Sequence, residues 1–216
     1  MITRLLIGLN FVGFGFEFLK IGPNLFGGNI TNQNLYDVGA LDAPDVLQGH
    51  QYWRLVSCGF LHANLIHIAV NMFSLWILGR IVERIGGSVR MAIVYAASLV
   101  LSSLACVYFQ PDAFSLGASG AIFGLFGAFF AIGLKHGKPG MEMIKANLGI
   151  LVLNLIFTFA VPGISKAAHV AGLISGFILM YAIYFPPRPM PAGVVDAHTG
   201  AVLDAEFEPA GQPPPA

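Results

Sequence analysis

Six apolar stretches constrain this chain more than anything else in it. They run over residues 2–19, 63–78, 91–109, 115–134, 146–161 and 167–185. A hydrocarbon core about 30 Å thick is crossed by about 20 apolar residues in a helix, and no backbone polar group can be left unpaired inside it. Such a chain is expected to fold as an all-α, polytopic membrane protein with six transmembrane helices. Composition points the same way, because only 10% of the 216 residues are charged, against about 25% in a soluble domain. Eleven basic and eleven acidic residues cancel. No basic patch remains to attract nucleic acid, so the lipid bilayer is the first partner the sequence names.

The connections give order and orientation. Arg4 followed by an apolar run imitates a secretory signal, but no small-x-small cleavage site follows it. The first segment therefore reads as a retained span, despite Asn10 and Glu17 within it. Residues 21–61 form a long loop with Asp37, Asp42, Asp45 and the pair Trp53-Arg54. Trp and Arg both suit the headgroup boundary, so this loop is expected to rest on the membrane or dip into it. The second span is expected to end at Leu78, ahead of a basic connection in which Glu83 joins Arg80 and Arg84 in a charge cluster. With the N-terminus inside, Arg4, Arg80, Arg84, Arg90, Lys135, Lys138, Lys145 and Arg188 are cytoplasmic, leaving Lys20, Arg54 and Lys166 outside. This bias follows the positive-inside rule and puts both termini in the cytoplasm. Size and architecture suit a bacterial inner membrane.

Three regions follow: 1–52, the first helix and the start of the outer loop; 53–185, the core of helices two to six; and 186–216, a tail. Eight of the thirteen prolines and four acidic residues fall in that last stretch, a composition expected of a disordered cytoplasmic extension. Cys58 and Cys106 lie about fifty residues apart without metal-ligand spacing, and sequence leaves their pairing open. No metal or organic cofactor is indicated, and nothing fixes an oligomeric state.

Polar residues inside the apolar segments are the functional signal. Ser119 opens the fourth segment among small residues, His67 and Asn71 lie in the second, and His169 lies in the sixth. Imidazoles in a membrane are costly unless they pair or perform chemistry. His67 and Asn71 are four apart and share a helix face, whereas a helix would point His62 elsewhere. All four sit about one turn below the outer end of their spans, a shared depth that independent spans would not need. Gly120, Gly124 and Gly127 form a stripe beside Ser119, and Gly172 and Gly176 share a face with His169. Small residues let helix backbones approach closely, which would bring Ser119 Oγ within reach of His169. A serine becomes a nucleophile when a base takes its proton, and His169 is the available base. No acidic residue lies in the fourth or sixth segment, so a dyad is expected rather than a triad. The Asn71 amide, the His67 ring and the Ser119 backbone N–H would donate to the oxyanion, in a polar cavity open to the outer face.

Five pieces carry a resemblance: Trp53-Arg54, His62-x4-His67-x3-Asn71, Gly79-x3-Glu83-x3-Gly87, Gly117-Ala118-Ser119-Gly120 and Ala168-His169-x2-Gly172-x3-Gly176. In this order and on these helices, the stretch from Trp53 to Tyr184 resembles the rhomboid family of intramembrane serine proteases, in its bare six-span prokaryotic form. The resemblance implies six helices around a water-accessible site, with Ser119 as nucleophile and His169 as base. It also implies His67 and Asn71 as oxyanion donors, and cleavage of single-span membrane proteins near the outer end of their transmembrane segments. A different class also fits intramembrane polar groups: a non-catalytic protein that binds client helices, or a transporter. The pairing of Ser119 with His169, and the absence of carboxylates along a central route apart from Glu17, favour the endopeptidase.

Overall fold

A computed structural model describes residues 1–186 and the short strands at 194–195 and 202–203. The extension expected at 186–216 otherwise lies outside the described residues. The chain divides into two units, Met1–Phe185 and Pro186–Ala216. In the second, β1 (Val194–Val195) pairs antiparallel with β2 (Val202–Leu203).

The first unit is helical. It begins with α1 (Ile2–Ile21), continued by a 3-10 turn over Gly22–Phe26. The outer loop then folds into three short helices, each with its own start signal. In α2 (Asn32–Val38), Thr31 and Asn34 form a reciprocal capping box. In α3 (Ala43–Leu47), Asp42 caps the helix and Pro44 sits in its first turn. The third, α4 (Arg54–Ser57), runs into a 3-10 turn at Cys58–Phe60.

The second span is capped by Asn64 and comprises α5 (Leu65–Ser74), a π-helical turn at Leu75–Gly79, and α6 (Arg80–Gly86). It therefore passes the expected end at Leu78. Arginine is a good helix former, so the helix runs on into the charged stretch, and the Arg80 guanidinium lies 4.6 Å from the Trp76 ring centroid. The chain reverses at Gly87, whose φ of 87° suits glycine.

Three more long helices and a shorter one complete the unit. These are α7 (Ser88–Phe109), α8 (Ser119–Lys135), α9 (Gly137–Ala160) and α10 (Lys166–Ile183). Five helical segments are long and apolar enough to cross a membrane, and α8 is a shorter apolar helix of 17 residues. At 1.5 Å per residue α8 spans roughly 25 Å, the short end of a crossing. It begins at Ser119 rather than 115, because Ser115 is extended and pairs with Leu41 through two backbone hydrogen bonds of 2.9 and 3.1 Å. Ser119 is thus the first residue of its helix, not one turn inside it. The fifth helix starts at Gly137 instead of 146, taking Lys138 and Lys145 into its first turns.

The core forms around α8, 13 of whose 17 residues are buried. A helix apolar on every side belongs in the middle of a bundle, and α8 packs against α7 and α10. A Cβ on Gly172 or Gly176 would strike the carbonyls of Gly120 and Gly124, and one on Gly127 would strike Leu173 O. The two glycine stripes therefore meet backbone to backbone. By contrast, only Gly140, Ile144, Leu151 and Thr158 are buried on α9.

Two charged groups differ from expectation. Glu83 does not join a surface cluster. It is buried and accepts hydrogen bonds from Ile2 N, Thr3 N, Thr3 Oγ1 and Ser88 Oγ, closing the free N–H groups at the start of α1. Arg54 is buried within the protein. Its guanidinium donates to Tyr36 O, Ala40 O and Gln51 Oε1 and lies 3.5 Å from Asp45. Trp53 beside it stays exposed.

Candidate active site

The strand-like approach to α8 fixes Ser119. Gly117 donates its N–H to Cys58 O at 2.8 Å and holds a φ of 120°, open to glycine but not to other residues. A Cβ there would also lie 2.8 Å from the His67 ring. This glycine lets the chain turn into the helix with the serine at its first position, facing inward.

His169 lies in the first turn of α10, whose start is capped by Ser165. Its Nε2 is 2.8 Å from Ser119 Oγ. Its ring stacks on Phe123 at 4.1 Å between centroids and 15° between planes, one turn along α8 from Ser119. Its other nitrogen, Nδ1, is 2.7 Å from Thr158 Oγ1 of α9. The imidazole is therefore held on both edges and one face.

His67 and Asn71 face the same space from α5. Ala63 N donates to His67 Nδ1 at 3.3 Å, so in the neutral ring the proton sits on Nε2. That edge borders Gly117, next to Ser119. Asn71 Nδ2 donates one proton to His67 O at 2.9 Å, which leaves its second N–H for another acceptor. Ser119, His169, His67 and Asn71 all line one cavity of about 780 Å³, with Thr158 and Phe123 in its wall.

His62 departs from the helical reading. Residues 61–64 precede α5, so the His62 ring comes edge-on to His67, at 5.0 Å between centroids. It is fully buried, and its backbone N–H donates to both oxygens of Glu17 at 3.0 and 2.9 Å. Burial, helped by the neighbouring His67, pushes its pKa down to about 3, so the ring is neutral at pH 7. Cys58 and Cys106 are free, buried thiols in the cavity wall. Burial pushes the Cys58 thiol up to about 12, too weak an acid to serve as a nucleophile.

Sequence reasoning missed three of these contacts. Thr158 was detectable only as a lone hydroxyl in the fifth span, and Phe123 only by its four-residue spacing from Ser119. The Glu17–His62 bond joins residues 45 apart in the chain, and no local pattern signals it. Among the described residues no cluster of His, Cys, Asp and Glu is arranged to hold a metal ion.

Residues 49–185 match the Rhomboid domain. The chain belongs to the rhomboid family. It is 38% identical over 161 residues to the rhomboid protease GluP of Bacillus subtilis, covering 74% of this chain and 31% of that protein. It is 35% identical over 182 residues to RHOMBOID-like protein 2 of Arabidopsis thaliana, covering 81% of this chain and 55% of that one. RHOMBOID-like protein 1 of the same plant is 36% identical over 182 residues, with 81% and 45% covered. The chain thus spans between about a third and just over half of the length of these rhomboid relatives. The matched region takes in Ser119, His169, His67 and Asn71.

Proposed function

We propose that this rhomboid-family chain is an intramembrane serine endopeptidase that cuts transmembrane proteins through a Ser119–His169 dyad. The observation that carries the reading is the 2.8 Å contact between Ser119 Oγ and His169 Nε2, in a cavity that His67 and Asn71 also line. Ser119 Oγ attacks the peptide carbonyl as His169 Nε2 takes its proton. The tetrahedral oxyanion is met by the His67 Nε2–H, the free Asn71 N–H and the Ser119 backbone N–H. His169 then protonates the leaving amine. A water, deprotonated by the same ring, releases the acyl group and restores Ser119. A neutral His67 donates from Nε2 because Ala63 N occupies its other nitrogen, which supports this assignment.

The substrates are single-span membrane proteins, cut near the outer surface of a bacterial inner membrane. The termini of this chain are cytoplasmic and the cavity opens outward, as the distribution of Lys and Arg supports. A carbonyl inside a substrate helix is shielded by its own hydrogen bond, so the segment must unwind locally. Residues that weaken helices are therefore preferred near the cut. Equal rates on a stable poly-Leu span would overturn that preference.

The test is cleavage of a single-span reporter in liposomes by wild type and Ser119→Ala, with fluorophosphonate labelling of both. Cleavage and labelling by wild type alone are expected. Replacement of Asn71 by Ala is expected to lower kcat by about 10²–10³, the usual effect of losing one oxyanion donor. A wild type that neither cleaves nor labels would overturn the endopeptidase and favour a client-binding protein.

A further inference from the structure

The second nitrogen of His169 has an assigned partner, and proton accounting gives that contact a direction. Thr158 is buried, with its Oγ1 2.8 Å from Asn154 O and 2.7 Å from His169 Nδ1. A hydroxyl has one proton, and the Asn154 carbonyl one turn back is positioned to take it. The threonine oxygen then meets Nδ1 as an acceptor, which requires Nδ1 to carry the ring proton. A neutral imidazole has only one such proton, so Nε2 is left with a bare lone pair facing Ser119 Oγ. In the reverse arrangement Thr158 would donate to Nδ1 and Nε2 would present a proton to the serine. That arrangement loses the bond to Asn154 O and gives a ring unable to act as a base toward Ser119. The first arrangement satisfies one more hydrogen bond.

We infer that Thr158 is a positioning residue that sets the tautomer and the tilt of His169, taking the place a carboxylate holds in a triad. This rests on the serine endopeptidase reading and deepens it. The partner is supplied from an unusual direction. Side chains elsewhere on α9 turn back on their own helix: Asn147 donates to Met143 O, Asn154 to Ile150 O, and Lys145 pairs with Glu142. Among the described residues, the contact between Thr158 and His169 is the one side-chain hydrogen bond that leaves α9 for another helix. The readiness of the base therefore depends on a helix with only four buried residues in 24.

The experiment uses the full chain in detergent and compares wild type with Thr158→Val, Thr158→Ser and Thr158→Ala. Its readouts are fluorophosphonate labelling rate and kcat and KM on a single-span reporter, with elution volume and melting temperature as the check on folding. Thr158→Val keeps the shape and removes the acceptor. It is expected to lower the labelling rate and kcat about tenfold or more, with KM within about twofold, because the effect falls on proton transfer. Thr158→Ser, which keeps the oxygen, is expected to stay within about threefold of wild type. Should Thr158→Val fold poorly, Thr158→Ala removes the hydroxyl without adding bulk and is expected to lose as much kcat. Equal labelling by wild type and Val, or equal losses in Val and Ser, would overturn the inference and leave Thr158 as packing alone. A wild type that fails to label would overturn the endopeptidase reading itself, and this inference with it.

Discussion

At the scale of single residues, some buried polar groups hold closely matched partners and others, such as the His62 ring, hold none, and the difference predicts what each change costs. Glu83 is the clearest case, with four donors converging on one carboxylate. Glu83→Gln puts an amide N–H where an acceptor is needed, so it is expected to cost about 1–3 kcal/mol, read as a lower melting temperature in detergent. His62 gives a pH signature. Its pKa of about 3 in the fold lies below the ordinary 6.5, so between those values the unfolded chain binds a proton that the folded one refuses. Stability carried by the neutral ring is complete above about pH 6.5 and declines as pH falls toward 3. Thermal unfolding across that window is expected to be steeper in pH for wild type than for His62→Gln. Glu17, which accepts from the His62 backbone N–H, and His67, edge-on to the ring, remain in both proteins. The sequence made Ser119, His67, Asn71 and His169 visible because polar side chains stand out in apolar runs. It could not make Thr158 visible, since a hydroxyl that can bond its own helix passes unnoticed in lipid.

At the scale of elements, legibility follows the physics of each boundary. The number and order of apolar helices could be read, because burial of a helix in lipid needs length and apolar composition and little else. Their ends could not. The second helix outran its apolar run because Arg80, Glu83 and Arg84 are good helix formers, and the fourth started late because Leu41 captures Ser115 from a distant loop. The second cause is not local to the boundary that it moves. The glycine stripes were legible by spacing, and their contact predicts a steep response to a single methyl. Gly176→Ala would drive a Cβ into Gly124 O, and forcing bulk into a packed contact costs about 1–3 kcal/mol. The separation of α10 from α8 would also pull His169 away from Ser119. Melting temperature and fluorophosphonate labelling are expected to fall together in this variant. In Glu83→Gln, whose change lies at the far end of the bundle, labelling of the folded fraction is expected to persist.

At the scale of the whole molecule, the proposed orientation assigns Lys166 to the outer side and Lys138 to the cytoplasm, and both are exposed. Lys166→Cys is expected to react with an impermeant maleimide added to intact cells, and Lys138→Cys only after the membrane is opened. The native Cys58 and Cys106 are buried and add little background. The opposite pattern would invert the topology. The five long helices differ in how they are retained, and α9 has only four buried residues in 24. Most of its surface is left unburied by the protein, so in a bilayer lateral pressure and chain order would do for α9 what side chains do for α8. Turnover by this molecule would then be partly a property of its solvent, rising in fluid membranes and falling in stiff ones with no change to a single residue.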